Sequence, residues 1–214
     1  MSDYILAKIL VIPAVLVAFT FKGYVQAKIA MRLGDDTPKQ YGRDTFNPLR
    51  HIDIMGFVFM ILVGFGWIKP VEINRSNFKD YYKDDLKVSF GGLATTLVIG
   101  IIATIISVVY GKYIPGNKLT LIIYMIILNI AKLNCIWFVL NLLPIPGFDG
   151  FRIIENLLRE KANHFQSIMY KNNMIILIIL IFPFIGNKSI LDIVVGIPGM
   201  IIFDMISRIA SSVF

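Results

Sequence analysis

Few residues in this chain have chemistry to offer. There are two histidines, His51 and His164, one cysteine, Cys135, and fourteen carboxylates. Among the carboxylates Asp149 stands apart by its setting. It closes the stretch Asn141-Leu142-Leu143-Pro144-Ile145-Pro146-Gly147-Phe148-Asp149-Gly150, which follows a long apolar run. Pro144 and Pro146 cannot continue a helix, so the chain opens there. Gly147 and Gly150 let backbone approach closely around Asp149. Irregular backbone at membrane depth is tolerated only where it is buried in protein or lines a cavity. An acidic group presented by such a break is a candidate functional group; the bland reading is a helix end at the membrane surface with a solvated Asp. Two scattered histidines add little to a metal set. Cys135 lies inside an apolar run and can form no internal disulfide, and its solitude excludes a thiolate metal site. No Ser, Thr or Cys has a base at useful spacing, so a nucleophilic mechanism has no candidates.

The elements that must position Asp149 are apolar. The chain is 57% hydrophobic and 16% charged, with mean hydropathy +0.73. Ordinary soluble domains carry about 25% charged residues. The composition implies an integral membrane protein, an all-α bundle of about five spans organised as one domain over residues 1–214. Tyr4–Phe21 reads as an uncleaved first span with Pro13 inside it. Val88–Gly111 is an uninterrupted uncharged run, and Leu119–Leu143, interrupted by Lys132, is the next span. Asn173–Gly186 and Ile190–Ser207 form a final apolar pair, with Asp192 and Asp204 as solvated ends. Ile54–Ile68 is short of the ~20 residues a span needs and carries Gly56, Gly64 and Gly66, so it reads as re-entrant. Lys69–Asn74 alternates like a short strand, a membrane-associated β element. Gly150–Lys171 is amphipathic, with Ile153, Ile154, Leu157 and Leu158 on one face, and suits an interfacial helix holding His164. Asn134 and Asn141, seven residues apart, share a face of their span. Lys132, near the middle of that run, either snorkels or serves a function such as transport; no paired repeats or second broken helix support a transporter.

The +7 net charge gives no nucleic-acid reading, because the basic residues sit in loops between apolar runs rather than in an aromatic-interleaved patch. Lys22–Asp53, Lys69–Lys87 and Pro144–Lys171 hold six, five and four Lys/Arg, against two and one in the opposite loops. That bias places the first three in the cytoplasm of a multi-pass protein of the cell membrane, facing anionic lipid.

Three segments carry a resemblance. Leu33-Gly34-Asp35-Asp36-Thr37, with Gly42-Arg43 and Asn47-Pro48-Leu49-Arg50-His51-Ile52-Asp53, resembles the first conserved block of the site-2 protease family of intramembrane zinc metalloproteases. Gly64-Phe65-Gly66-Trp67-Ile68-Lys69-Pro70-Val71 resembles the second. Asn134, then Asn141 to Pro146 and Asp149-Gly150, resembles the third, Asn-Leu-Leu-Pro-x-Pro-x-x-Asp-Gly. The chain is identified on these motifs as similar to a compact bacterial member.

The resemblance implies a first span ending in H-E-x-x-H, whose two histidines bind zinc and whose glutamate activates water, with the Asp of Asp-Gly as third ligand. It places that motif at Lys22-Gly23-Tyr24-Val25-Gln26. Lys22 and Gln26 stand where the ligands belong and Gly23 where the base belongs. An ammonium repels a divalent cation, a Gln carbonyl is a poor match for zinc, and glycine has no base. Asp149 is left as a vestigial third ligand. His51 matches a family position that coexists with H-E-x-x-H, so it is a loop hydrogen-bonder and no replacement ligand; Asn134 and Asn141 are groove or structural residues. Gly91-Gly92-Leu93-Ala94-Thr95 stands where relatives often carry Gly-Pro-x-x-Asn. The resemblance therefore implies a pseudoprotease with no cofactor, binding the bilayer and a transmembrane client. The alternative is an active zinc protease cleaving transmembrane substrates. Lys22 and Asp149, whose family positions share one metal, should face each other.

Overall fold

In a computed structural model the described residues are 2–63, 66–185 and 188–214. The helices are α1 (Ser2–Arg32), α2 (Thr37–Gln40), α3 (Ile54–Val63), α4 (Tyr81–Tyr113), α5 (Lys118–Asn141), α6 (Asp149–Leu158), α7 (Asn163–Ile181) and α8 (Ile197–Val213). A wide turn over Asp192–Gly196 leads into α8, and a small hairpin pairs β1 (Pro183–Ile185) with β2 (Lys188–Ser189). Local signals set the boundaries. Asp80 accepts a hydrogen bond from Lys83 N–H at the start of α4. Asn117 and Thr120 cap α5 reciprocally. The proline pair ends it.

Four helical segments among the described residues are long and apolar enough to cross a membrane: Ile5–Arg32, Tyr81–Tyr113, Lys118–Asn141 and Asp192–Val213. This differs from the expected five spans at Asn173–Gly186. There α7 begins ten residues earlier with a polar turn, and β1 takes over the end of the apolar run. The connectivity explains the rest. α6 and α7 meet through Phe151 against Phe165 and Tyr170. The hairpin then brings Pro183 beside Ser189, and Leu191 and Val195 join the core cluster of Val15, Phe19, Trp137 and Leu140. Further on, Phe203 packs with Ala131 and Cys135, and Tyr113 Oη–H donates to the Phe214 carbonyl at 2.9 Å. So α8 runs antiparallel to α5 and starts level with its C-terminal end. Both ends of α7 lie at that end, the basic end of the bundle, and α7 is not among the four segments. Asp204 is accordingly no solvated terminus, because it lies well inside the last span.

The segment Ile54–Ile68 turns back on itself: α3 is ten residues, and a bridge between Ile52 and Ile68 joins its two flanks. Gly64 and Phe65 lie outside the described residues. Lys69–Asn74 forms no strand. Its backbone is instead tied by single contacts, Lys69 N–H donating to the His51 carbonyl and the Arg43 guanidinium donating to the Pro70 carbonyl. Side-chain hydrogen bonds have taken the place of a ladder. The amphipathic segment also departs from one continuous helix. It breaks at Arg159, which adopts φ 54°. Its polar face, Glu155 and Asn156, is buried, while Leu157 and Leu158 point outward. In a bilayer this inversion is favourable, because lipid accepts the apolar side and the bundle satisfies the polar one.

Candidate functional site

The site forms where α1, α4 and the start of α6 converge. α1 continues as one helix past Phe21 to Arg32, so residues 22, 23 and 26 remain on a rigid scaffold. The broken stretch after α5 returns the chain through Gly147, at φ +102°, a conformation that glycine adopts without strain. Gly150 then packs so closely on the Leu142 and Leu143 carbonyls that a side chain there would collide with them. Asp149 is thereby delivered as the first residue of α6.

Lys22 and Asp149 meet. The Lys22 Nζ lies 3.0 Å from Asp149 Oδ2, both side chains being 4% exposed. The approach is off the direction of a linear hydrogen bond, so it is a charge contact more than a directed bond. Gln26 completes the arrangement by donating Nε2–H to Asp149 Oδ1 at 2.8 Å. An ionised carboxylate only accepts, which fixes the amide with its NH2 toward Asp149. One cation and one amide thus cover both oxygens of the buried carboxylate.

Two glycines make the room. A Cβ on Gly92 would overlap Gln26 and sit 2.8 Å from Asp149 Oδ2. A Cβ on Gly23 would run into His51 Nδ1, and would lie 3.2 Å from His51 Cε1. The imidazole therefore fills the space that any side chain at position 23 would need. Its Nε2 lies 2.7 Å from the Thr45 carbonyl, while Nδ1 is buried without a hydrogen-bond partner. Burial lowers the His51 pKa, with the neighbouring Arg43 charge adding to that effect against the Thr45 contact. A neutral ring with Nε2–H donating fits this environment. The chain's spacing gave no sign of the His51–Gly23 contact, which joins residues 28 positions apart through tertiary packing; the Gly91-Gly92 pair was a visible sign of close approach to α4.

The remaining candidates lie elsewhere. Asn134 and Asn141 are buried on α5, but each donates to the carbonyl four residues earlier in its own helix, at 2.8 Å to Ile130 and Trp137. Neither has a hydrogen bond to Lys22 or Asp149 among the described residues. His164 sits at the start of α7.

Three polar clusters hold the site in place. Asp35 accepts from Thr37 N–H and Oγ1–H, Asn74 N–H and Asn77 Nδ2–H, tying the turn after α1 to the segment before α4. Arg43 is buried and binds Glu72 through two hydrogen bonds of 2.7 Å. Behind Asp149, buried Asp85 of α4 takes Arg75 at 3.0 Å together with Arg152 and Asn156 of α6. Arg75 also reaches Glu155 at 3.1 Å. These contacts clamp α6, and with it Asp149, to α4.

Residues 7–182 match the family described as Peptidase family M50. The chain belongs to peptidase family M50, the site-2 protease family. A curated relative in Bacillus subtilis (strain 168), "Putative zinc metalloprotease YwhC", is 36% identical over 145 residues, which is 66% of this chain and 66% of that protein. The chain thus matches just under two thirds of the relative's length. No solved structure matches. The expected membership and the all-α, multi-pass membrane character hold. The family's zinc fits poorly among the side chains that meet here. Asp149 already faces an ammonium and an amide N–H, both of which repel a cation, and the His51 imidazole lies against Gly23 with its Nε2 on the Thr45 carbonyl.

Proposed function

We propose that this chain is a non-catalytic member of peptidase family M50, a pseudoprotease that keeps the family's membrane scaffold and binds a transmembrane client. The observation that carries the reading is the buried Lys22–Asp149 contact. Where the family resemblance puts a metal, an ammonium tethered to α1 supplies the positive charge. His51 against Gly23 supports the same reading, since a glutamate at position 23 and the imidazole in its present place exclude each other. The parts that shape the scaffold, around Asp35, Arg43 and Asp85, are fully engaged, whereas the parts that would activate water are replaced. A membrane scaffold kept without its reacting groups suits recognition of a membrane segment, and that client is the other half of the proposal.

Zinc per chain, measured by elemental analysis of the purified protein beside an Asp149→Ala control, tests the first half. Substoichiometric metal, unchanged by the substitution, is expected. Near one zinc per chain, lost in the variant, together with zinc-dependent cleavage of a model transmembrane substrate, would restore the protease reading.

A further inference from the structure

Lys132 and Asp204 lie at one level in the apolar part of the bundle, on α5 and α8. Lys132 is on α5. Its Nζ sits 5.4 Å from the centre of the Phe203 ring of α8. Phe203 itself packs with Ala103, Ala131 and Cys135, in the middle of α4 and α5. The next residue, Asp204, is the thirteenth of the twenty-two residues of the last span and points outward, as does Arg208 one turn on. Among the described residues neither Asp204 nor Arg208 has a partner within ion-pair distance, and the ring face is the only charge-directed contact of Lys132. The surrounding surface of α8 is apolar, with Ile201, Met205 and Ile209 exposed at four-residue intervals.

Charged side chains inside a bilayer are costly, and they face protein or pair with one another. Here the outward face of α5 and α8 carries both signs. A face that carries both signs can neutralise a copy of itself, because a two-fold axis makes each contact reciprocal. We infer that a second copy of this chain packs against the α5–α8 face about a two-fold axis, with Lys132 of each copy meeting Asp204 of the other. The apolar stripe of α8 then packs against its own mate around the charged contact. This holds whether or not the site at Asp149 is catalytic.

Cross-linking in membranes tests the assignment on the full chain. A Cys135→Ala background carries one new cysteine, Met205→Cys on the proposed interface or Ile9→Cys on the exposed face of α1. Oxidation is expected to give a product of twice the 24.2 kDa chain mass for Met205→Cys and little for Ile9→Cys. Adding Lys132→Met should lower the cross-linked fraction about fivefold to tenfold, and Lys132→Asp with Asp204→Lys should restore it. Light scattering in mild detergent serves as an independent measurement, with a dimer mass expected. A monomer by both methods, equal cross-linking at the two cysteines, or a cross-linked fraction indifferent to Lys132→Met would overturn the inference.

Discussion

Lys22 and Lys132 are both ammonium groups set among transmembrane helices, and their surroundings differ in kind. Lys22 has a carboxylate at 3.0 Å, an amide covering the carboxylate's other oxygen, and a side chain only 4% exposed. Lys132 is half-buried and has the face of an aromatic ring. The Lys22 charge is neutralised within the chain. The Lys132 charge lies at the outer face of the bundle, beside an exposed carboxylate on the adjacent helix. The difference teaches where each charge's partner is to be sought. A buried ion pair that is complete internally calls for no outside partner, and an unpaired charge at the surface of the bundle points to another molecule.

The largest effect is expected at the internal pair. Removing one member of a buried pair strands the other, at roughly 3–5 kcal/mol. Lys22→Met and Asp149→Asn should each lower stability by that order in detergent unfolding assays. Lys22→Met combined with Asp149→Leu should recover most of the loss. Equal tolerance of all three variants would dissolve the contrast with Lys132, whose own substitution is expected to move association and leave the unfolding midpoint nearly unchanged.

A smaller effect sharpens the comparison at the neighbouring void. Gly23→Ala forces His51 out of its place, and overpacking of this kind costs about 1–3 kcal/mol. His51→Ala in the same chain should relieve it. If Gly23→Ala is neutral alone, the imidazole is not filling that space.

The smallest effect lies outside the spans. Burial alone would raise the pKa of Asp35, but hydrogen bonds from Thr37, Asn77 and Asn74 outweigh it and hold the carboxyl below its ordinary value. Glu72 is likewise held low, with Arg43 overcoming burial. The unfolded chain therefore takes up these protons at higher pH than the folded one. Their contribution is complete above about pH 4 and fades as the pH falls through the folded values. The thermal midpoint should drop below about pH 4, and Asp35→Asn should shallow that decline. Because neither group touches Asp149, zinc content and association should not follow the same profile.

Much of the fold could be read from particular stretches. The uncharged run Val88–Gly111 lies within α4, and all but the last two residues of the apolar run Leu119–Leu143 lie within α5, since only helices satisfy their own backbone in lipid. The short run with three glycines turned back as its length required. The proline pair after Asn141 opened the chain ahead of Asp149. The fate of Asn173–Gly186 was not legible, because hydropathy measures a segment's solvent and not which end of the bundle its neighbours hold. The alternation at Lys69–Asn74 was also misleading, as side chains of Arg43 and Asp35 captured backbone groups that a strand partner would have taken.

The sequence by itself determined that this is a helical membrane protein of the site-2 protease type, and its motifs led to the expectation that Lys22 and Gln26 stand at ligand positions. Those conclusions depend on residue type and order, which are local. Only the tertiary structure decided that Lys22 and Gln26 close over Asp149, that His51 fills the space above Gly23, and that Asp204 faces outward at the level of Lys132. Each joins residues far apart in the chain. The physical reason is that a side chain's charge and volume are set by its type, while the partner that neutralises the charge or fills the space is set by packing.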